Sequence, residues 1–199
     1  MRQTVISIFV LIIWQASQGQ FFHKIGLGMS TGYRFNSSSI YIEGCLNRFA
    51  INGEYIINKN QGLGFSISGG YYLPLDKNRV MPFAGVAYTK MLGGGVSIDW
   101  GQSNNTNFEV SSATYLIPTI GMRYNFLGII EREKYIRKGF LAVIVRLGYR
   151  LLLTKQPEVV FVSGDIYESK QKKIQSSINE GLGFSIGFVM GFGKKEMRR

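Results

Sequence analysis

Residues 62–75 read Gly62-Leu63-Gly64-Phe65-Ser66-Ile67-Ser68-Gly69-Gly70-Tyr71-Tyr72-Leu73-Pro74-Leu75. Leu63, Phe65, Ile67, Tyr71, Leu73 and Leu75 share one parity, and Gly64, Ser66, Ser68 and Gly70 the other. A β-strand has a side-chain period of two, so the segment is a strand with one large apolar face and one small or polar face. Residues 178–193 repeat the rule: Ile178, Leu182, Phe184, Ile186, Phe188, Met190 and Phe192 alternate with Asn179, Gly181, Gly183, Ser185, Gly187, Gly191 and Gly193. In a soluble β-sandwich the exposed face carries Lys, Thr and Glu. Here the second face is mostly glycine and serine, which suits a small membrane barrel with lipid outside and a crowded lumen inside.

The start of the chain agrees. Arg2 precedes an apolar run over residues 5–14, a polar stretch over 15–20 follows, and Ser17 and Gly19 stand at the positions a signal peptidase reads. The expected cut follows Gly19, giving a signal peptide over 1–19. The run is roughly half the length that a membrane-spanning helix needs. Beyond it, the longest apolar run covers residues 140–145 and ends at Arg146, so no later helix is expected to cross a membrane.

Composition points the same way. The roughly 180 residues after the cut make one domain. Twenty-five glycines and 14% aromatics against four prolines fit tightly packed strands. Cys45 has no second cysteine to bridge and reads as a buried strand residue. The net charge of +11 is scattered, apart from Lys194, Lys195, Arg198 and Arg199 in the tail. With export expected, anionic lipid headgroups or solvated strand ends account for it, and nucleic acid is not an expected partner.

Alternation places eight strands near residues 24–35, 40–46, 49–57, 62–75, 83–98, 108–126, 140–154 and 178–193. The second is the least regular, and a different count merges it with the third. An even number puts both ends on one side, with connections 36–39, 58–61, 99–107 and 155–177 at the other rim. The expected fold is all-β, an eight-stranded antiparallel up-and-down transmembrane β-barrel over residues 20–193, with a basic periplasmic tail over 194–199. Triglycine 93–95 lacks a following Gly-Lys-Ser and a helix, so it reads as a flexible strand end, not a phosphate loop.

The chain resembles the outer membrane β-barrel domain family of small eight-stranded Gram-negative proteins, the OmpA and OmpX kind. The resemblance covers residues 20–193. Its marks are the signal, the stretch Met81-Pro82-Phe83-Ala84-Gly85-Val86-Ala87-Tyr88 after a turn, and the glycine-aromatic final strand. It implies a fold and an outer-membrane location, with outer-membrane lipid and lipopolysaccharide as surroundings, much more strongly than any activity. Such proteins usually end on an aromatic residue, whereas here Phe192 is followed by Gly193 and the basic tail.

Charge forms a candidate constellation only in the lumen. By parity Lys24, Arg34, Glu54, Glu109, Arg123, Arg146 and Arg150 point into the lumen. An eight-stranded barrel is just wide enough for its own side chains to fill, so these groups are expected to pair as a plug. The competing reading is a gated ion path or anion site. Enzyme chemistry has little to work with: His23, the only histidine, is expected at the periplasmic rim as a solvated or interfacial residue, one Cys and one His at unrelated places do not suggest a metal site, and no cofactor motif is present. Two readings follow. One is a structural or surface-interaction barrel, in which residues 159–162 extend a strand as a protruding edge. The other is a narrow pore or an accessory subunit of a protein-export machine. A soluble lipocalin-like barrel, with its apolar face inward, is a third.

Overall fold

Each alternating segment is a strand, and the small-residue face of each turns to a common interior. The computed structural model describes residues 24–32, 37–46, 48–73, 80–98, 106–127, 137–164 and 168–194. The expected signal peptide, His23, Arg34 and the tail beyond Lys194 lie outside the described residues. The elements are β1 (Lys24–Gly32), β2 (Ser37–Leu46), β3 (Phe49–Asn58), β4 (Gly62–Tyr72), β5 (Val80–Ile98), β6 (Thr106–Val110), β7 (Ala113–Leu127), β8 (Arg137–Leu152), β9 (Val159–Ser163), a helix α1 (Glu168–Ile178) and β10 (Gly181–Lys194).

Eight of the strands pair in the ring β1-β2-β3-β4-β5-β7-β8-β10. The ring closes where Lys24 faces Gly193 and Gly32 faces Ser185 across the antiparallel β1–β10 ladder. The second and third strands are separate, joined at Leu46 opposite Phe49. Large apolar side chains point out along the whole ring: Met29 is 64% exposed, Ile67 63% and Phe192 68%. Tyr41, Ala142, Ile144 and Val189 point in and pack together. The lipocalin-like arrangement, with the apolar face inward, is therefore overturned. Small inward residues make room for large inward ones. At Gly28, a Cβ would collide with the ring of Tyr41 from the neighbouring strand.

Three boundaries differ from the sequence reading, all at one rim. The expected sixth strand over 108–126 is two elements, because Ser111 and Ser112 break it between β6 and β7. Strand β5 runs on past the barrel wall, and its far part, Gly94 to Ile98, pairs with β6 instead of a barrel strand. The departure is made at Gly93 and Gly94, whose φ angles of 72° and 124° are ones a side chain would resist. Strand β9 adds to the other side of β6. The segment 155–177, expected as a loop, holds β9 and most of α1, and Ile178, expected in the final strand, ends the helix instead. The second sheet and the helix share a small core of Val96, Val110 and Ile178, with Val159 against it. At the barrel's other strands the ends move less: β2 starts at Ser37 and β5 at Val80, ahead of Pro82.

Candidate functional site

Among the described residues, the interior gathers charge in tiers along the barrel axis. Nearest the rim that holds the ends of the chain's barrel strands, Arg123 of β7 donates from Nη1 to a carboxylate oxygen of Glu43 on β2. Tyr72 donates from its hydroxyl to the other oxygen, Glu43 Oε2, at 3.0 Å. Arg123 Nε donates to Asn125 Oδ1 at 3.1 Å, and the guanidinium lies 4.8 Å from the centroid of the Phe140 ring. Glu43 and Arg123 side chains are 1% and 4% exposed. A buried ion pair is tolerable when its remaining valences are met, and here hydroxyl, amide and ring faces meet them.

The middle tier joins β3 to β8. Glu54 accepts from the Ser39 hydroxyl and, at 3.4 Å, from Ser30 Oγ. Its Oε2 stands 3.9 Å from Arg146 Nη1, a looser pairing than that of the first tier. The Arg146 guanidinium rests on the ring of Tyr41, 4.9 Å from its centroid.

The third tier lies under the elaborated rim. Arg150 stacks on Tyr115, 4.5 Å from the ring centroid, and donates to the carbonyl of Ser177 at 3.4 Å. Tyr115 donates its hydroxyl to the carbonyl of Ile178 at 2.6 Å and accepts from Gln61 Nε2 at 2.8 Å. Asn60 Nδ2 donates to Ser177 Oγ at 2.7 Å. The C-terminal end of α1 is thus tied down over the barrel mouth. Its unsatisfied carbonyls face a cation and a hydroxyl, the partners that a helix C-terminus favours.

Two cavities separate the tiers. One of about 40 Å³ lies between the first and second, bordered by Tyr72, Phe83 and Asn52. One of about 110 Å³ lies between the second and third. Glu54 and Arg146 border both.

Of the residues that parity sent inward, Glu54, Arg123, Arg146 and Arg150 are in the lumen, and Lys24 stands half-buried at the rim opposite Cys45. Glu109 is not there. It is exposed on β6, between Gly95 and Val160 of the second sheet, because the break at Ser111 and Ser112 carries β6 out of the barrel wall. The carboxylate that answers Arg123 is Glu43, which the sequence reading passed over. Its parity with Tyr41 and Cys45 was the available signal, obscured because Gly44 interrupts the outward apolar series Ile40, Ile42, Leu46. Cys45 is buried, with Ala50 and Tyr72 around it. Among the described residues no cluster of three or more potential metal ligands occurs.

No family model matches the chain, and no curated protein matches it. Among solved structures it is similar to the N-terminal β-barrel domain of Pseudomonas aeruginosa OprF, at 11% identity and a TM-score of 0.45, covering 85% of this chain and 99% of that one. It is also similar to Neisserial surface protein A (NspA), at 12% identity and a TM-score of 0.42, covering 86% and 95%. The NanC porin structure aligns at 9% identity and a TM-score of 0.24, covering 86% and 99%. Likenesses this remote carry no argument about function, and the barrel is established by its own strand pairing.

Proposed function

We propose that this chain is a non-enzymatic outer-membrane barrel with a structural or surface-interaction role, its lumen closed by the charged network. The observation that carries the reading is the inversion of polarity: a nearly inaccessible Glu43–Arg123 pair inside, and large apolar side chains exposed on every barrel strand outside. Water would penalise the outer half of that arrangement, because soluble monomers rarely expose apolar patches beyond a few hundred Å², whereas a bilayer accepts it. The closed ring also leaves no barrel-strand edge in lipid, as a membrane demands.

The interaction surface is the second sheet. Among the described residues, strand β9 is the last in its order, with β6 on one side and no strand on the other. Val160 and Val162 are 53% and 60% exposed along it. An open edge of this kind accepts an extended peptide by main-chain hydrogen bonding, with alternate side chains read in pockets. Outer-membrane lipid and lipopolysaccharide are the surroundings proposed for the barrel, and a surface protein the partner for the edge. A transport or secretion role takes its support from the two cavities, which share Glu54, Ala87, Thr119 and Arg146 as lining, with the loose Glu54–Arg146 pair between them.

The test is purification of the mature chain followed by reconstitution. The reading expects detergent dependence, migration on gels that changes on boiling, and little or no current in planar bilayers. A stable monomer in buffer alone would remove the membrane assignment. Large steady channels would replace the plug with the transport reading.

A further inference from the structure

The larger luminal cavity has a wall whose chemistry is that of an anion receptor. Two guanidiniums, Arg146 and Arg150, border it, against one carboxylate, Glu54. That carboxylate is already engaged by the Ser39 and Ser30 hydroxyls. Arg146 is differently placed: its one ionic partner among the described residues is Glu54, at 3.9 Å, although the side chain is only 16% exposed. A guanidinium offers five N–H donors in a rigid fork, and burial without hydrogen-bond acceptors is costly for such a group. The ring of Tyr41 offers its π face and satisfies no N–H in line.

The space in front of Arg146 is made by the sequence. Ser185 of β10 stands directly across from Arg146 of β8, and the next inward pair along the ladder is Gly183 opposite Gly148. All four residues line the cavity, as does Thr119. A larger side chain at Ser185 would fill this space, and at Gly148 even a Cβ would crowd the Ile117 and Thr119 methyls, 2.9 Å away. The space is about 110 Å³, where roughly 10–15 Å³ suffices for one water. Hydroxyls and a forked cation around a small space match a tetrahedral oxyanion, which accepts bidentate hydrogen bonds that a monatomic anion cannot.

We propose that the cavity between Arg146 and Arg150 is a binding site for a small inorganic oxyanion, phosphate or sulfate, held by the Arg146 fork and the hydroxyls of Ser185 and Thr119. The site rests on luminal geometry and does not require the plug reading: an ion held there is compatible with a closed barrel or a narrow path.

Isothermal titration of the mature chain, folded in a sugar-headgroup detergent that contains no phosphate, tests it, since any phosphate bound is then the added inorganic ion and not a lipid headgroup. Phosphate and sulfate are expected to give saturable heats at an ionic strength fixed with chloride. Arg146→Gln should weaken binding about tenfold or more, the loss of a charge-assisted bidentate contact, while Arg146→Lys keeps the charge and should fall between. Ser185→Val leaves every charge in place and fills the space, so it should also reduce binding, and it carries the test if Arg146→Gln does not fold. Absence of saturable heat from wild-type protein whose gel migration changes on boiling would overturn the site. Unchanged affinity in both Arg146→Gln and Ser185→Val would also overturn it, assigning the ion to surface lysines instead.

Discussion

Glu43 and Arg123 stand on strands four places apart whichever way the barrel is walked, and their side chains meet in the middle. Glu54 on β3 and Arg146 on β8 are related in the same way, also four strands apart in both directions. Each ion pair is therefore a diameter of the barrel. It spans the lumen across its full width, where a pair on neighbouring strands would only line the wall.

Removing one end of the tighter diameter should cost more than removing both. Arg123→Met leaves Glu43 buried with the Tyr72 hydroxyl as its remaining donor, and should destabilise the barrel by about 3–5 kcal/mol. Adding Glu43→Gln to that variant should recover a large part of the loss. Urea unfolding in lipid vesicles, compared across the wild type, the single and the double variant, measures this. A double variant no more stable than Arg123→Met would mean that the cost is one of lost packing on Phe140 and Tyr72, not of a stranded charge.

The outward face should be sensitive to depth. Ile186 lies near the middle of β10 and Phe192 near its end, both turned out. A lysine facing lipid at the midplane costs about 2–4 kcal/mol and near the interface about 0–1 kcal/mol. Ile186→Lys should accordingly impair assembly and lower the unfolding midpoint, with Phe192→Lys close to wild type. Equal tolerance of both would argue against a bilayer around this strand.

The helix that covers the elaborated rim should loosen when its anchor is cut. Tyr115→Phe deletes the hydroxyl that holds the Ile178 carbonyl and receives Gln61. Two buried groups lose their partner, at about 1–3 kcal/mol each if left unsatisfied. Limited proteolysis of folded protein in vesicles should then cut within α1 faster than in wild type, while the barrel stays intact. The same rate of cleavage in both proteins would show that the Ser177–Asn60 and Ser177–Arg150 contacts hold the helix without Tyr115.

The barrel was legible because its signal is repeated eight times and physically forced: on a strand with lipid on one side and a crowded lumen on the other, a slip of one residue exposes the wrong face. Glu54, Arg123, Arg146 and Arg150 followed from that parity. Glu109 shows where parity stops being informative. It obeys the same alternation as Arg123, but alternation states only which side of its own sheet a residue faces, and nothing local in the sequence says that β6 belongs to a different sheet. The helix was hidden for a related reason. Residues 168–178, ESKQKKIQSSI, carry a thin apolar pattern, with Ile174 and Ile178 alone four apart, and their order comes from tertiary anchors on Asn60, Tyr115 and Arg150. Cross-barrel pairings such as Glu43 with Arg123 depend on ring order and relative stagger, which appear only once the ladder is closed.

The seam at which Lys24 meets Gly193 also sets a timetable. The first barrel strand must wait for β10, the last strand of the ring in chain order, before its second edge finds a partner. Until then β1 and the growing end of the sheet are both unmatched, with their apolar faces bare. Long-range closure of this kind is slow. A truncation that shortens β10 should therefore be felt at the opposite end of the ladder, in a first strand left without its second neighbour.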